Sequence, residues 1–240
     1  MHVRAASFAG ENLASVVASQ KWAELVTEET GGDVRFEFFL NGSLIGAPDV
    51  YAGVGSGTAE MGIESHGYQP VELPLSHAQN VGYLSSNAQA SAAVQRDFYE
   101  NDAGFRAEWD VFSPCPVFFG METVTVLGCK EPITSLDDLK GINVRAAALM
   151  TEDFNSVGAN VSGLVASEML DAFQGGVIDC WSAVGGTVTQ SPDALVSQWR
   201  AIAAPANVKR FLEIAGPDGQ AFLDEWESAL KAKEAEYSAY

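Results

Sequence analysis

Residues 135–181 read SLDDLKGINVRAAALMTEDFNSVGANVSGLVASEMLDAFQGGVIDCW, a pattern that alternates short helix and strand three times. Asp137, Asp138, Leu139 and Lys140 make a one-turn helix, stopped by Gly141, a residue type able to take positive φ just past a helix end. Ile142, Asn143 and Val144 then alternate as a short strand, and Arg145 stands where that strand ends. In open α/β sheets ligands bind beyond the carboxyl ends of strands, so an arginine there is sited to meet an anion. Pairing with a neighbouring carboxylate is the competing role, and position alone leaves the two equally open.

The same alternation extends outward from this stretch. Residues 3–8 look like a first strand, and 11–29 carry Leu13, Val16, Val17, Trp22, Leu25 and Val26 at helical spacing until Gly31 and Gly32 end the run. VRFEFFL at 34–40 reads as a second strand. Pro48 suits the first turn of a short helix to about Val54, and residues 57–64 form a strand led in by glycine. That is the β-α-β-α-β order of a parallel sheet flanked by helices. Residues 88–99 and 104–109 read as helical and 117–127 as strand-rich, with a first lobe ending near 121–125. After Trp181 the chain turns glycine-rich, becomes helical from Asp193, and ends in a helix over 219–240 with Phe222, Trp226, Leu230 and Tyr237 on one side. GTAEMGIE at 57–64 and GVIDCWSA at 176–183 echo each other, each after a short helix. Two similar α/β halves with a cleft between them follow from that echo.

Thirteen Lys and Arg against 32 Asp and Glu leave a net charge of −19. That balance argues against nucleic acid or an anionic membrane as partner, since either needs a basic face. Any small anion would have to be held by local, desolvated donors. No apolar run is long enough to span a bilayer, so direct membrane insertion is not expected. No secretory leader stands at the front, and export would imply that one has been removed.

Motifs for catalysis are missing. There is no Gly-x-Ser-x-Gly elbow, His-Glu-x-x-His pair or Rossmann fingerprint, and the glycines at 53–57 follow a helix instead of opening one. Ser228 and Lys231 fit Ser-x-x-Lys but lie in a charged helix without the companion motifs. Cys115, Cys129 and Cys180 lack CxxC spacing, so no metal site is expected; three buried thiols are the reading, with a Cys115–Cys129 disulfide as the alternative. His2 is terminal and His77 falls in an expected surface segment. His66, two residues after Glu64, can share a cleft with that carboxylate, although a loop histidine is the plainer reading.

A family likeness now becomes visible. PITS at 132–135 and DLKGINVR at 138–145 resemble the signature of substrate-binding proteins of TRAP (tripartite ATP-independent periplasmic) transporters, the DctP-like family. Val157-Gly158-Ala159, Ser167-Glu168 and AFQGGVID at 172–179 fit the same family. So do Thr30-Gly31-Gly32 with Val34, GSLIG at 42–46, and Gly57 with Glu60-Met61-Gly62.

The resemblance implies an α/β two-lobe periplasmic-binding-protein fold with a ligand cleft between the lobes. Its members capture a small organic acid and deliver it to a membrane permease, with no cofactor and no catalysis. Residues 1–121 would form lobe I, with about 205–240 packing across or back onto it, and 122–204 lobe II. Arg145 matches the family's carboxylate-binding arginine, in keeping with the bidentate fit of guanidinium to carboxylate. Glu64 falls where some members carry an acidic cleft residue. Trp181 offers either a face for the ligand or core packing, and Glu122, His66 and Glu168 complete the candidate set. A periplasmic monomer with a carboxylate ligand and TRAP permease subunits as partners is expected.

The chain departs from the family in three places. Residues 113–129 hold no Arg or Lys, where many members carry a second arginine, and Glu122 lies there instead. Cys180 replaces a usual glycine, and Ala183 lies where an Asn is often found. The region after Thr189 lacks the family's recognisable crossover strand and helices. One arginine with Glu64 and Glu122 near it would suit a monocarboxylate bearing hydroxyls or a positive group. An ABC-type receptor, or a small α/β enzyme using Glu64, His66 or Glu122 as acid and base, are the rival readings.

Overall fold

β1 (His2–Ser7) is the spine of the first sheet, and its inner residues Ala5, Ala6 and Ser7 are fully buried. The computed structural model describes residues 1–85, 87–111, 115–120, 125–146, 150–184 and 193–237. α1 (Ala14–Glu29) starts three residues later than its apolar spacing suggests, and β2 (Arg35–Phe39) follows it. α2 (Val50–Gly55) leads to β3 (Met61–Ile63). The sheet order is β2-β1-β3, all parallel. Gly62 in β3 lets α2 lie close, since a Cβ there would come within 2.7 Å of Val50.

α3 (Ala88–Asn101) and α4 (Ala103–Asp110) come next, each capped by an acceptor side chain: Asn87 takes the Ala90 N–H and Asp102 the Phe105 N–H. They bury Val94, Phe105 and Trp109 against Leu73, Phe211, Leu223 and Trp226 in the largest apolar cluster. The 3-10 turn Leu75–Asn80 is drawn into this core by Glu108. The Glu108 carboxylate accepts from the backbone N–H groups of Leu75 and Ser76 and from the Ser76 hydroxyl. His77 is therefore 1% exposed, which corrects its expected place on the surface.

The second sheet runs β4-β7-β5-β6. Its members are β4 (Thr125–Cys129), β5 (Asn143–Arg145), β6 (Asn160–Ser162) and β7 (Cys180–Val184), with α5 (Met150–Asn155) and α6 (Met169–Gln174) between them. β5 pairs parallel with β6 and β7, and β4 pairs antiparallel with β7. The expected strand over 117–127 narrows to β4: residues 115–120 are irregular, while 121–124, and with them most of the expected lobe boundary, lie outside the described residues. The turn before β5 is closed by a capping box, in which Asp138 accepts from the N–H groups of Thr134 and Ser135. Gly141 takes φ 72° there.

The cysteines correct the sequence reading. Cys129 and Cys180 face each other across β4 and β7 with Cα atoms 4.1 Å apart, and they form a disulfide; Cys115 is free and exposed. That pairing depends on strand register, which spacing along the chain does not encode. The C-terminal segment is helical from Asp193, as its sequence reads, and forms two long helices, α7 (Asp193–Ala215) and α8 (Gly219–Tyr237). α7 packs on α5 and on the Leu75–Asn80 turn, while α8 packs on α3. One chain segment thus touches both sheet regions.

Candidate functional site

A cleft with a volume of about 1120 Å³ opens between the two sheets. Phe8 follows β1 and Glu64 follows β3, so the first sheet presents its carboxyl ends to it. Ser182 of β7, Met150 and Asp153 of α5, and Trp199 of α7 line the other side.

Glu64 and His66 both line this cleft. One Glu64 carboxyl oxygen accepts from the Ser65 N–H at 2.9 Å; the other is buried with no hydrogen-bond partner among the described residues. Burial pushes this carboxyl up to about 9, against the Ser65 hydrogen bond and with a smaller contribution from Asp49. At neutral pH it is a neutral acid, able to donate and accept. His66 is no open-loop histidine: it is 7% exposed, in the 3-10 turn His66–Tyr68, with Nε2 unpartnered among the described residues. Its ring lies 6.5 Å from that of His77 and 6.3 Å from that of Trp109. Burial, and secondarily His77, lowers His66 to about 3, so its imidazole is neutral in ordinary buffers.

Arg145 ends β5 with 4% exposure. Its Nε donates to the Leu164 carbonyl at 2.8 Å and its Nη1 to the Ser182 carbonyl at 3.0 Å. No described carboxylate lies within ion-pair distance of it, which removes the competing role among the described residues. Arg145 itself is not among the described lining residues; it sits behind Ser182, which is. Trp181, next in β7, turns to the opposite face and packs across Gly128, where a Cβ would approach the indole to 2.4 Å. Neither Trp181 nor the exposed Glu168 lines the cleft among the described residues, and Glu122 lies outside them.

Sequence reasoning missed the residues of α5 and α7 that build the far wall. Asn207 Nδ2 donates to the Asp153 carboxylate and to the Ala203 carbonyl, and Trp199 Nε1 donates to the Asp153 carbonyl at 3.1 Å. Burial raises Asp153 to about 6, with Asn207 opposing. A signal was present: Trp199, Ala203, Asn207 and Phe211 recur every four residues on one helical stripe, and the asparagine interrupts an otherwise apolar face.

Two α/β sheet regions facing one cleft, lined by apolar side chains with a few polar groups among them, define the class: a two-lobe solute-binding protein. The family follows from the chain itself. Residues 5–191 match the profile of the bacterial extracellular solute-binding proteins, family 7 (DctP), and the chain belongs to that family of binding proteins, which are not enzymes. A solute-binding protein of Roseobacter denitrificans is 26% identical over 184 residues, covering 75% of this chain; the chain spans 55% of that relative's length. Among solved structures, a marine metagenome TRAP solute-binding protein specific for aromatic acid ligands, from an unidentified microbe and holding 3-hydroxybenzoate, superposes with a TM-score of 0.85 at 16% identity. It covers 98% of this chain and 99% of its own. A Bordetella bronchiseptica TRAP periplasmic protein with bound mandelate gives 0.79 at 14%, covering 97% and 99%. No described helix is long and apolar enough to cross a membrane.

Proposed function

We propose that this chain captures a small organic acid in the cleft, outside the cytoplasm, and delivers it as a monomer to the permease of a TRAP uptake system. The observation that carries this reading is Arg145, a buried guanidinium with no described carboxylate beside it. A buried charge without a counter-ion costs several kcal/mol, and a ligand carboxylate reaching past Ser182 would supply the missing charge. Its Nη2 makes no hydrogen bond with described residues, which leaves a donor edge for that contact.

Glu64 and His66 are the contacts on the first-sheet side. Both are neutral, so they suit a hydroxyl or carbonyl on the ligand better than a second charge. The hydroxy acids held by the two solved relatives are of that kind. Capture proceeds by hinge closure between 1–121, with 205–240 packed back on it, and 122–204; contacts from both sides favour the closed state. The packing of α8 on α3 supports placing the C-terminal helix with the first region.

A thermal-shift panel of 3-hydroxybenzoate, mandelate, sugar acids and zwitterionic osmolytes tests the reading. A carboxylate at a hundredfold excess over its Kd should stabilise the wild type by about 2.7 kcal/mol, and Arg145→Ala should lose that gain. A panel in which no acid raises the midpoint would sink the proposal.

A further inference from the structure

The chain carries 13 Lys and Arg in a background of −19. Eight of them, among them Arg4, Lys130 and Lys233, stand within 4.0 Å of a described carboxylate. Of the five that do not, Arg200 alone is a described residue of the cleft lining. It is exposed and projects from α7, the helix that touches both sheet regions.

Tyr83 holds it at the mouth. Arg200 Nη2 donates to the Tyr83 carbonyl at 3.2 Å, and its guanidinium carbon lies 5.7 Å over the Tyr83 ring. A guanidinium is planar, always charged and weakly hydrated, so it stacks there while keeping most of its five N–H donors free. Tyr83 takes φ 69°, a left-handed conformation unusual for a non-glycine residue. The Arg200–Tyr83 contact is part of what that loop conformation presents to the cleft.

The electrostatics give this cation a task. Glu131 and Glu234 line the same cleft, and the charge of the whole chain repels an approaching anion. At physiological salt that field is screened beyond about 8 Å, so the sign of the nearest unpaired charge decides the encounter. Lys130, the other cation of the lining, is already 3.9 Å from Asp179 and donates to the Ile178 carbonyl. Arg145 lies behind the wall.

We propose that Arg200, stacked on Tyr83, is the receptor at the cleft mouth that first meets the incoming carboxylate and sets its association rate. The proposal rests on the organic-acid reading above and adds to it a residue and a step. A rim charge acts through the association rate and its salt dependence, while a contact inside the bound complex acts through dissociation.

Stopped-flow tryptophan fluorescence, with Trp199 beside Arg200 in the lining as reporter, separates these roles. The probes are 3-hydroxybenzoate and mandelate. Arg200→Gln should lower kon by about tenfold at low salt and flatten its decline with ionic strength, and Arg200→Glu should lower it further. The dissociation rate should stay within about twofold, and the unliganded melting midpoint should not move, because the side chain is exposed. Should Arg200→Gln fail to fold, Arg200→Lys keeps the charge without the stacking, and its salt slope must match the wild type. An unchanged kon in Arg200→Gln, or an effect confined to koff, would overturn the proposal and leave the organic-acid reading standing. If the wild type binds neither probe and no acid of the wider panel, both fall together.

Discussion

The two sheet regions of this protein are held together by different means. Beside a small separate cluster of Ala6, Ile45, Val50 and Ala59 under its sheet, the first packs helices α3, α4 and α8 around large aromatic rings: Phe98, Phe105, Phe222 and Trp226 touch one another at centroid distances of 5.0–6.2 Å. The second buries a smaller set, Val144, Ala146, Phe154, Ala159 and Cys180, and adds a covalent cross-link. Where apolar area is plentiful, burial suffices; where the core is thin, constraining the unfolded chain contributes more. The ligand-facing polar groups lie where the two designs meet.

That contrast breaks most readily at Trp226. Its side chain is fully buried at the centre of the aromatic cluster, so Trp226→Ala should cost about 5 kcal/mol and lower the denaturation midpoint accordingly. In hydrogen-exchange measurements the loss of protection should centre on α3, α4 and α8, with β5 and β6 affected less. Uniform loss across both regions would show that they unfold as one unit.

Removing the disulfide should give the reverse pattern. The cross-link closes a loop with a sequence separation of 51 that encloses β5, α5, β6 and α6. The chain-entropy relation puts its worth at roughly 4 kcal/mol. Cys129→Ala with Cys180→Ala, or reductant on the wild type, should lower stability by that order and raise exchange in the second sheet first. No shift on reduction would mean that the second region rests on packing alone.

A smaller effect sharpens the comparison at the cleft. Glu64 keeps its proton up to about 9 when folded, whereas an unfolded glutamate loses it near 4.5. Between those values the folded state binds more protons, so this residue lowers stability as pH rises. His66 and His77, lowered to about 3 and 4 by burial, act in the opposite direction below 6.5, while the raised Asp153 acts in the same direction as Glu64 but only below about 6. From pH 6.5 to 9 Glu64 acts without them, and the wild type should lose up to roughly 3 kcal/mol across that window. Glu64→Gln should flatten the loss in a melting-temperature profile. A profile as steep as the wild type's would show that another group titrates there.

Much of the fold was legible in the chain because local patterns carry it. Helical spacing located α3, α4, α7 and α8, and Lys140-Gly141 followed by an alternating triplet placed Arg145 at a strand end. The motifs around it pointed to the family. The cleft was legible only in part. Glu64 and His66 are close in sequence and follow one strand, so reading one found the other. Asp153, Asn207, Arg200 and Tyr83 come from three separate segments, and nothing local in any of them announces the others.

What the sequence determined by itself is the order of strands and helices, the excess of acidic charge, and the arginine that ends β5. These depend on periods of two and 3.6 residues and on turn chemistry, which act over a few positions. The tertiary structure alone decided that Cys129 pairs with Cys180, that His77 is buried, and that Arg200 faces the cleft without a described carboxylate beside it. Each depends on the register of β4 against β7, on Glu108 drawing in a turn 33 residues away in sequence, or on the docking of α7 across both sheets. Those are contacts between distant segments, and they exist only once the whole chain has packed.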